Sequence, residues 1–168
     1  MTTKEFFIQL WKEEVKTTIT CLKAIPIDKM DYRPHQKTRS AKDIVEHIVP
    51  HADDLVEGAQ TGVINHILFM PFGSMEEAIS HFETKSETLV QALEKCSDSD
   101  WENKIVPMNV REHKVMEAAM YRMFYGSLFD LIHHRGQLST YYRPMGTRNP
   151  SIYGPTAEMI EERMAAKN

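Results

Sequence analysis

The sequence predicts an all-α protein, a four-helix bundle forming a single domain over residues 1–168, with a short C-terminal extension. Two observations carry that expectation. Four segments place apolar residues at three- and four-residue steps, and no segment alternates cleanly between apolar and polar positions. A length of 168 residues adds that one domain can bury a full core without disulfide staples.

The first helix is predicted from about Thr3 to Lys23, where Phe6, Phe7, Leu10, Trp11, Val15, Ile19 and Leu22 share a face. Pro26 and Pro34 break the pattern and make a loop up to Arg39. The second helix starts at Ser40, a good N-cap, with Asp43 favouring the positive helix end. Ile44, His47, Ile48, His51, Leu55 and Val56 form its stripe, and Pro50 predicts a kink in its middle. Residues 62–73 are apolar without a period and read as a packed connector. The third helix opens at Ser74, where Ser74 and Glu77 have the spacing of a capping box. Its buried face is Ala78, Ile79, Phe82, Leu89, Val90 and Leu93. A loop is predicted from Asp98 to Val110. The fourth helix then runs from about Glu112 to Arg143, where Pro144 and Gly146 stop it. A turn-rich stretch, Thr147 to Thr156, and a short helix from Ala157 to Ala166 make up the extension.

Composition narrows the function classes. A formal net charge of −4 argues against a nucleic-acid partner, which usually requires a basic footprint. No stretch approaches the apolar length of a membrane span, and the N-terminus lacks the apolar core of a signal peptide. Cys21 and Cys96 are too few for a disulfide framework and read as buried or half-buried thiols. The expectation is a soluble cytoplasmic protein.

Two apolar stripes are interrupted by polar residues. In the fourth helix the order is Met123, Ser127, Asp130, His134, Leu138, Tyr141; in the second it is Ile44, His47, His51, Leu55. Asp130 and His134 lie four residues apart and share a helix face, as do His47 and His51. A carboxylate in a bundle core must be paired, protonated or bound to a cation. Facing helices with such gaps are how bundle-core metal sites are built. Two other readings stay open: an Asp130–His134 pair on an exposed face, and a hydrogen-bonded network of Asp130, His134 and His47. His51, next to Pro50 and Asp53, reads as a residue at the water-exposed end. His133 points away from His134 and reads as a packing or supporting residue. His35, His66, His81 and His113 read as solvated.

The run His133, His134, Arg135, Gly136, Gln137, Leu138, followed by Tyr142 to Gly146, resembles the last core helix of the DinB-like family. Ser40 to Ile48 resembles the family's second helix, and Pro150 to Pro155 resembles its tail. The likeness covers most of the chain. It implies a four-helix bundle, usually a homodimer, with a divalent metal on one histidine of the second helix and a His-x-x-x-His pair of the last. Carried over, the ligands are His47, Asp130 and His134, with Asp130 standing where the family pattern has histidine. A carboxylate is compatible with zinc, nickel, manganese or iron. Three protein ligands leave open positions, which suits catalysis. The resemblance implies a metal-dependent enzyme acting on a small molecule, of thiol S-transferase or hydrolase type, with a low-molecular-weight thiol as a candidate partner. The alternative is a non-catalytic, damage- or stress-associated bundle whose metal is vestigial or absent. Gly136 is expected to permit close helix approach, Arg135 and Gln137 to fix the helix, and Tyr153 is a candidate to reach the site. Glu46, beside His47, is expected to face elsewhere.

Overall fold

The computed structural model describes residues 1–167; Asn168, the last residue of the expected domain, lies outside them. The chain is mostly helical. Helix α1 (Thr3–Lys23) matches its expected bounds and carries a full capping box between Thr2 and Glu5. Helix α2 (Ala41–Ile48) is followed by α3 (His51–Thr61), so the expected second helix is broken at Val49 and Pro50. Helices α4 (Met75–Lys95), α5 (Asp98–Asn103), α6 (Met120–Ser139) and α7 (Ala157–Ala165) complete the set. Helix α1 packs on α4 and α6, α3 packs on the same two, and α2 packs on α6. Phe7, Trp11, Phe82, Trp101 and Phe124 are buried at the centre of the core.

The chain is not all-α. Strands β1 (Ile64–Asn65), β2 (Ile105–Val110) and β3 (His113–Ala119) form a sheet in the order β1-β2-β3. Strand β1 pairs parallel to β2, and β2 pairs antiparallel to β3. The expected fourth helix therefore loses its first eight residues to the hairpin, beginning at Met120 instead of Glu112. The cause is a turn at Arg111 and Glu112, both with positive φ (47° and 68°). Such turns usually show Asn-Gly or Asp-Gly in sequence, and here they do not. Strand β3 is also rich in Glu, Ala, Met and Lys, which favour helix until cross-strand pairing overrides them.

Capping explains two further boundaries. Ser40 and Asp43 form a reciprocal box at the start of α2. At α4 only half of the expected box forms: Ser74 accepts from the Glu77 amide, while the Glu77 carboxylate accepts from the Gly73 amide at 2.7 Å. Gly62 ends α3 with φ +82°, a left-handed conformation that costs any other residue. Gly62→Ala is expected to lower stability by about 1 kcal/mol, measured as a shift in urea midpoint at constant slope. The connector after it is fastened to α2 and to β2. The Met70 amide donates to the Glu46 carbonyl at 2.8 Å, and the His66 amide to the Asn109 carbonyl at 2.9 Å.

Candidate metal centre

Three elements meet at one point. The last turn of α2 supplies His47, the first residue of α3 supplies His51, and the middle of α6 supplies Asp130 and His134. Despite the break at Pro50, His47 and His51 still face the same neighbour, their rings 5.0 Å apart. Asp130 lies between them and His134. Its Oδ2 is 3.4 Å from His47 Nε2 and 2.9 Å from His51 Nε2, and its Oδ1 is 3.5 Å from His134 Nε2. One ligand atom from each of His47, Asp130 and His134 lies within 4.8 Å of the others.

Hydrogen bonding fixes which nitrogens carry protons. His47 Nδ1 is 2.9 Å from the Leu68 carbonyl, which only accepts, so Nδ1 donates and a neutral ring presents a bare Nε2 to Asp130. His134 Nδ1 is 3.0 Å from Gln137 Oε1, while Gln137 Nε2 faces His133. His134 therefore donates from Nδ1 and also presents a bare Nε2. Two imidazole Nε2 atoms and a carboxylate converge, with Arg39 Nη1 3.1 Å from the His134 nitrogen. A cation satisfies such a set. The separations, 3.4 Å to one Asp130 oxygen and 3.5 Å to the other, are close to the donor spacing of about 3.4 Å around a four-coordinate ion with bonds of about 2.1 Å. The Leu68 carbonyl and Gln137 amide are the outer hydrogen-bond partners that orient ligating histidines. The residues present thus fit a divalent ion.

Contacts from His47 and then His51 hold the Asp130 carboxyl far below the usual carboxylate range; the His51 contact is the shorter. Burial lowers the pKa of both His51 and His134, which favours neutral rings with free lone pairs. Arg39 reaches the same nitrogen, its Nη1 3.1 Å from His134 Nε2 and its guanidinium 5.5 Å from the Phe69 ring centre.

A pocket of about 270 Å³ opens beside this group. Met108, Met116 and Met123 make its apolar wall, and His51, His66, Arg122 and Asp130 its polar end. Strands β2 and β3 supply two of those methionines, so the sheet shapes the mouth of the centre.

Several residues differ from their sequence reading. His51 is 2% exposed, not water-exposed, because Pro50 turns it inward against Asp130. His66 is not simply solvated: its Nδ1 lies 2.6 Å from Asp54 Oδ2, and its ring is 5.7 Å from those of His47 and His51. His81 pairs with Asp53 at 2.7 Å, whereas His35 and His113 are exposed as expected. Gly136 has open space where a Cβ would stand, so it is not a point of close helix approach. Arg135 fixes the helix as expected: it is buried, 2.6 Å from Glu14 Oε2 and 3.1 Å from Thr18 Oγ1. Tyr153 does not reach the metal centre; its hydroxyl donates to Glu14 at 2.9 Å and accepts from Arg135. Glu46 turns its carboxylate toward Lys42, at 3.8 Å. Cys21 is buried, Cys96 is half-buried, and burial pushes both thiols up.

Among the described residues no helix is long and apolar enough to cross a membrane. No protein with a curated description matches the sequence. Two solved structures share the fold. A DinB-like protein from Bacillus subtilis superposes with a TM-score of 0.67 at 18% identity, over 88% of this chain and 96% of its own. A DinB-like protein from Bacillus cereus ATCC 10987 gives 0.71 at 18% identity, over 89% and 97%. The sequence model of the DinB family matches residues 1–164, a span that holds α2 and α6 with every residue of the centre, and so the chain belongs to the DinB family.

Proposed function

We propose that the protein is a metal-dependent enzyme acting on a small molecule, of thiol S-transferase or hydrolase type, with a divalent ion held by His47, Asp130 and His134. The observation that carries this reading is the convergence of two imidazole nitrogens and a carboxylate beside an apolar pocket. An ion held there supplies Lewis acidity, which acidifies water or a thiol. The chain's own groups divide the remaining work. His51 restrains Asp130 Oδ2, and the Leu68 carbonyl and Gln137 keep the two rings aimed. Met108, Met116 and Met123 exclude water and receive an apolar substrate portion, and exposed Arg122 suits an anionic end. The same reading makes the protein a cytoplasmic homodimer; Phe129 on α6, 61% exposed, is a group that a second copy would cover.

One observation favours a non-catalytic alternative. The Arg39 guanidinium is positioned to donate to His134 Nε2, which would satisfy one lone pair without metal. Elemental mass spectrometry of protein purified without a histidine tag separates the two. Bound zinc, nickel, manganese or iron of which about one ion per chain is lost in His47→Ala is the expected result and directs a screen of thiol and hydrolase substrates. Absence of metal after exposure to all four ions would establish the alternative.

A further inference from the structure

We propose that His51, Asp54 and His66 form a second divalent-cation site beside the first. One ligand atom from each lies within 4.8 Å of the others. His51 Nε2 donates to Asp130, so a neutral His51 ring has a bare Nδ1, and that atom is buried with no hydrogen-bond partner among the described residues. His66 Nδ1 lies 2.6 Å from Asp54 Oδ2. Asp54 is 2% exposed; its Oδ1 accepts from the Ile67 amide at 3.0 Å, and no lysine or arginine pairs with it among the described residues. A cation entering this cluster would take the place of the proton between His66 and Asp54. A buried carboxylate with no lysine or arginine beside it is costly, and a cation removes that cost.

The donor set of two nitrogens and one carboxylate suits zinc, manganese, iron or nickel in the divalent state. Access exists, because His51 and His66 both line the 270 Å³ pocket. The two sites touch through Asp130: its Oδ2 lies 3.4 Å from His47 Nε2 of the first set and 2.9 Å from His51 Nε2 of the second. A carboxylate at position 130 can face both sites at once, which a histidine with one free nitrogen does not. The second site uses neither His47 nor His134, so it stands or falls apart from the function proposed above.

Ion counting tests it. Tag-free protein is stripped with chelator, dialysed against buffered micromolar zinc(II), and its zinc measured per chain. Two ions are expected in the unsubstituted chain and one in each of Asp54→Asn, His66→Gln and His134→Ala. Asp54→Asn keeps the shape of the side chain and an acceptor for the Ile67 amide. His66→Gln changes a less buried residue and carries the test if Asp54→Asn does not fold. Zinc content that is unchanged by both Asp54→Asn and His66→Gln overturns the proposal, whatever the total in the unsubstituted chain; that result would leave Asp54 and His66 as a plain hydrogen-bonded pair. An ion lost in His134→Ala but not in His66→Gln bears on the first site alone.

Discussion

Replacing Arg135 by methionine is expected to destabilise the fold by about 3–5 kcal/mol. Arg135 is 1% exposed and Glu14 5% exposed, and the two meet at 2.6 Å. The guanidinium also donates to Thr18 Oγ1 and to the Glu14 carbonyl, at 3.1 and 3.3 Å. The loss is large because it leaves a carboxylate buried without a counter-charge, with only the Tyr153 hydroxyl donating to it. The intact pair need not contribute that much, since desolvation of both groups offsets most of their attraction. The double variant Glu14→Gln/Arg135→Met is therefore expected to recover most of the loss. Urea unfolding of the single and double variants at constant slope measures both values. A single-variant loss below about 1 kcal/mol would show that Glu14 does not depend on its partner.

Each divalent ion bound at a thousand times its Kd is expected to stabilise the native state by about 4 kcal/mol. For a chain of this size that is a rise in Tm of about 8–16 °C, at about 2–4 °C per kcal/mol. His134→Ala is expected to lose the share belonging to the first site. It removes one bare nitrogen and leaves His47 Nε2 and Asp130 with two donors, too few to hold an ion against water. His133→Ala is the matched control. His133 is exposed; its ring lies 5.0 Å from that of His134 and its Nε2 meets Gln137, but none of its atoms belongs to the converging set. It is expected to keep nearly the full zinc-dependent shift in a calorimetric scan. A shift unchanged by His134→Ala would remove His134 from the ligand set.

The residues that converge on α6 were legible because helical spacing is a local property. Asp130 and His134 share a face by counting, and the polar gap in an apolar stripe marks that face as buried against something. The matching gap at His47 named the partner helix. Asp54 and His66 were hidden for opposite reasons. Asp54 follows Asp53 in a stretch that reads as a solvated acidic patch, yet it is turned into the core. His66 sits in an aperiodic connector, and its position depends on β1 pairing with β2 some forty residues later. The hairpin was hidden because its turn uses Arg111 and Glu112, and β3 is built from good helix formers. Burial of His51 followed from a backbone break whose direction no periodicity contains.

That break reaches further than its own two residues. In an uninterrupted helix the amide four positions on would occupy the Glu46 carbonyl, and at that position stands Pro50, which has no amide hydrogen. The vacant carbonyl is the one that receives the Met70 amide. Met70 is two residues from Leu68, whose carbonyl dictates the tautomer of His47. A hydrogen that proline lacks is thus what moors the strap that sets a proton on an imidazole one turn earlier. A residue there with its own amide would let α2 reclaim Glu46 and set the strap adrift. The aim of His47 is written as much in that absence as in the histidine itself.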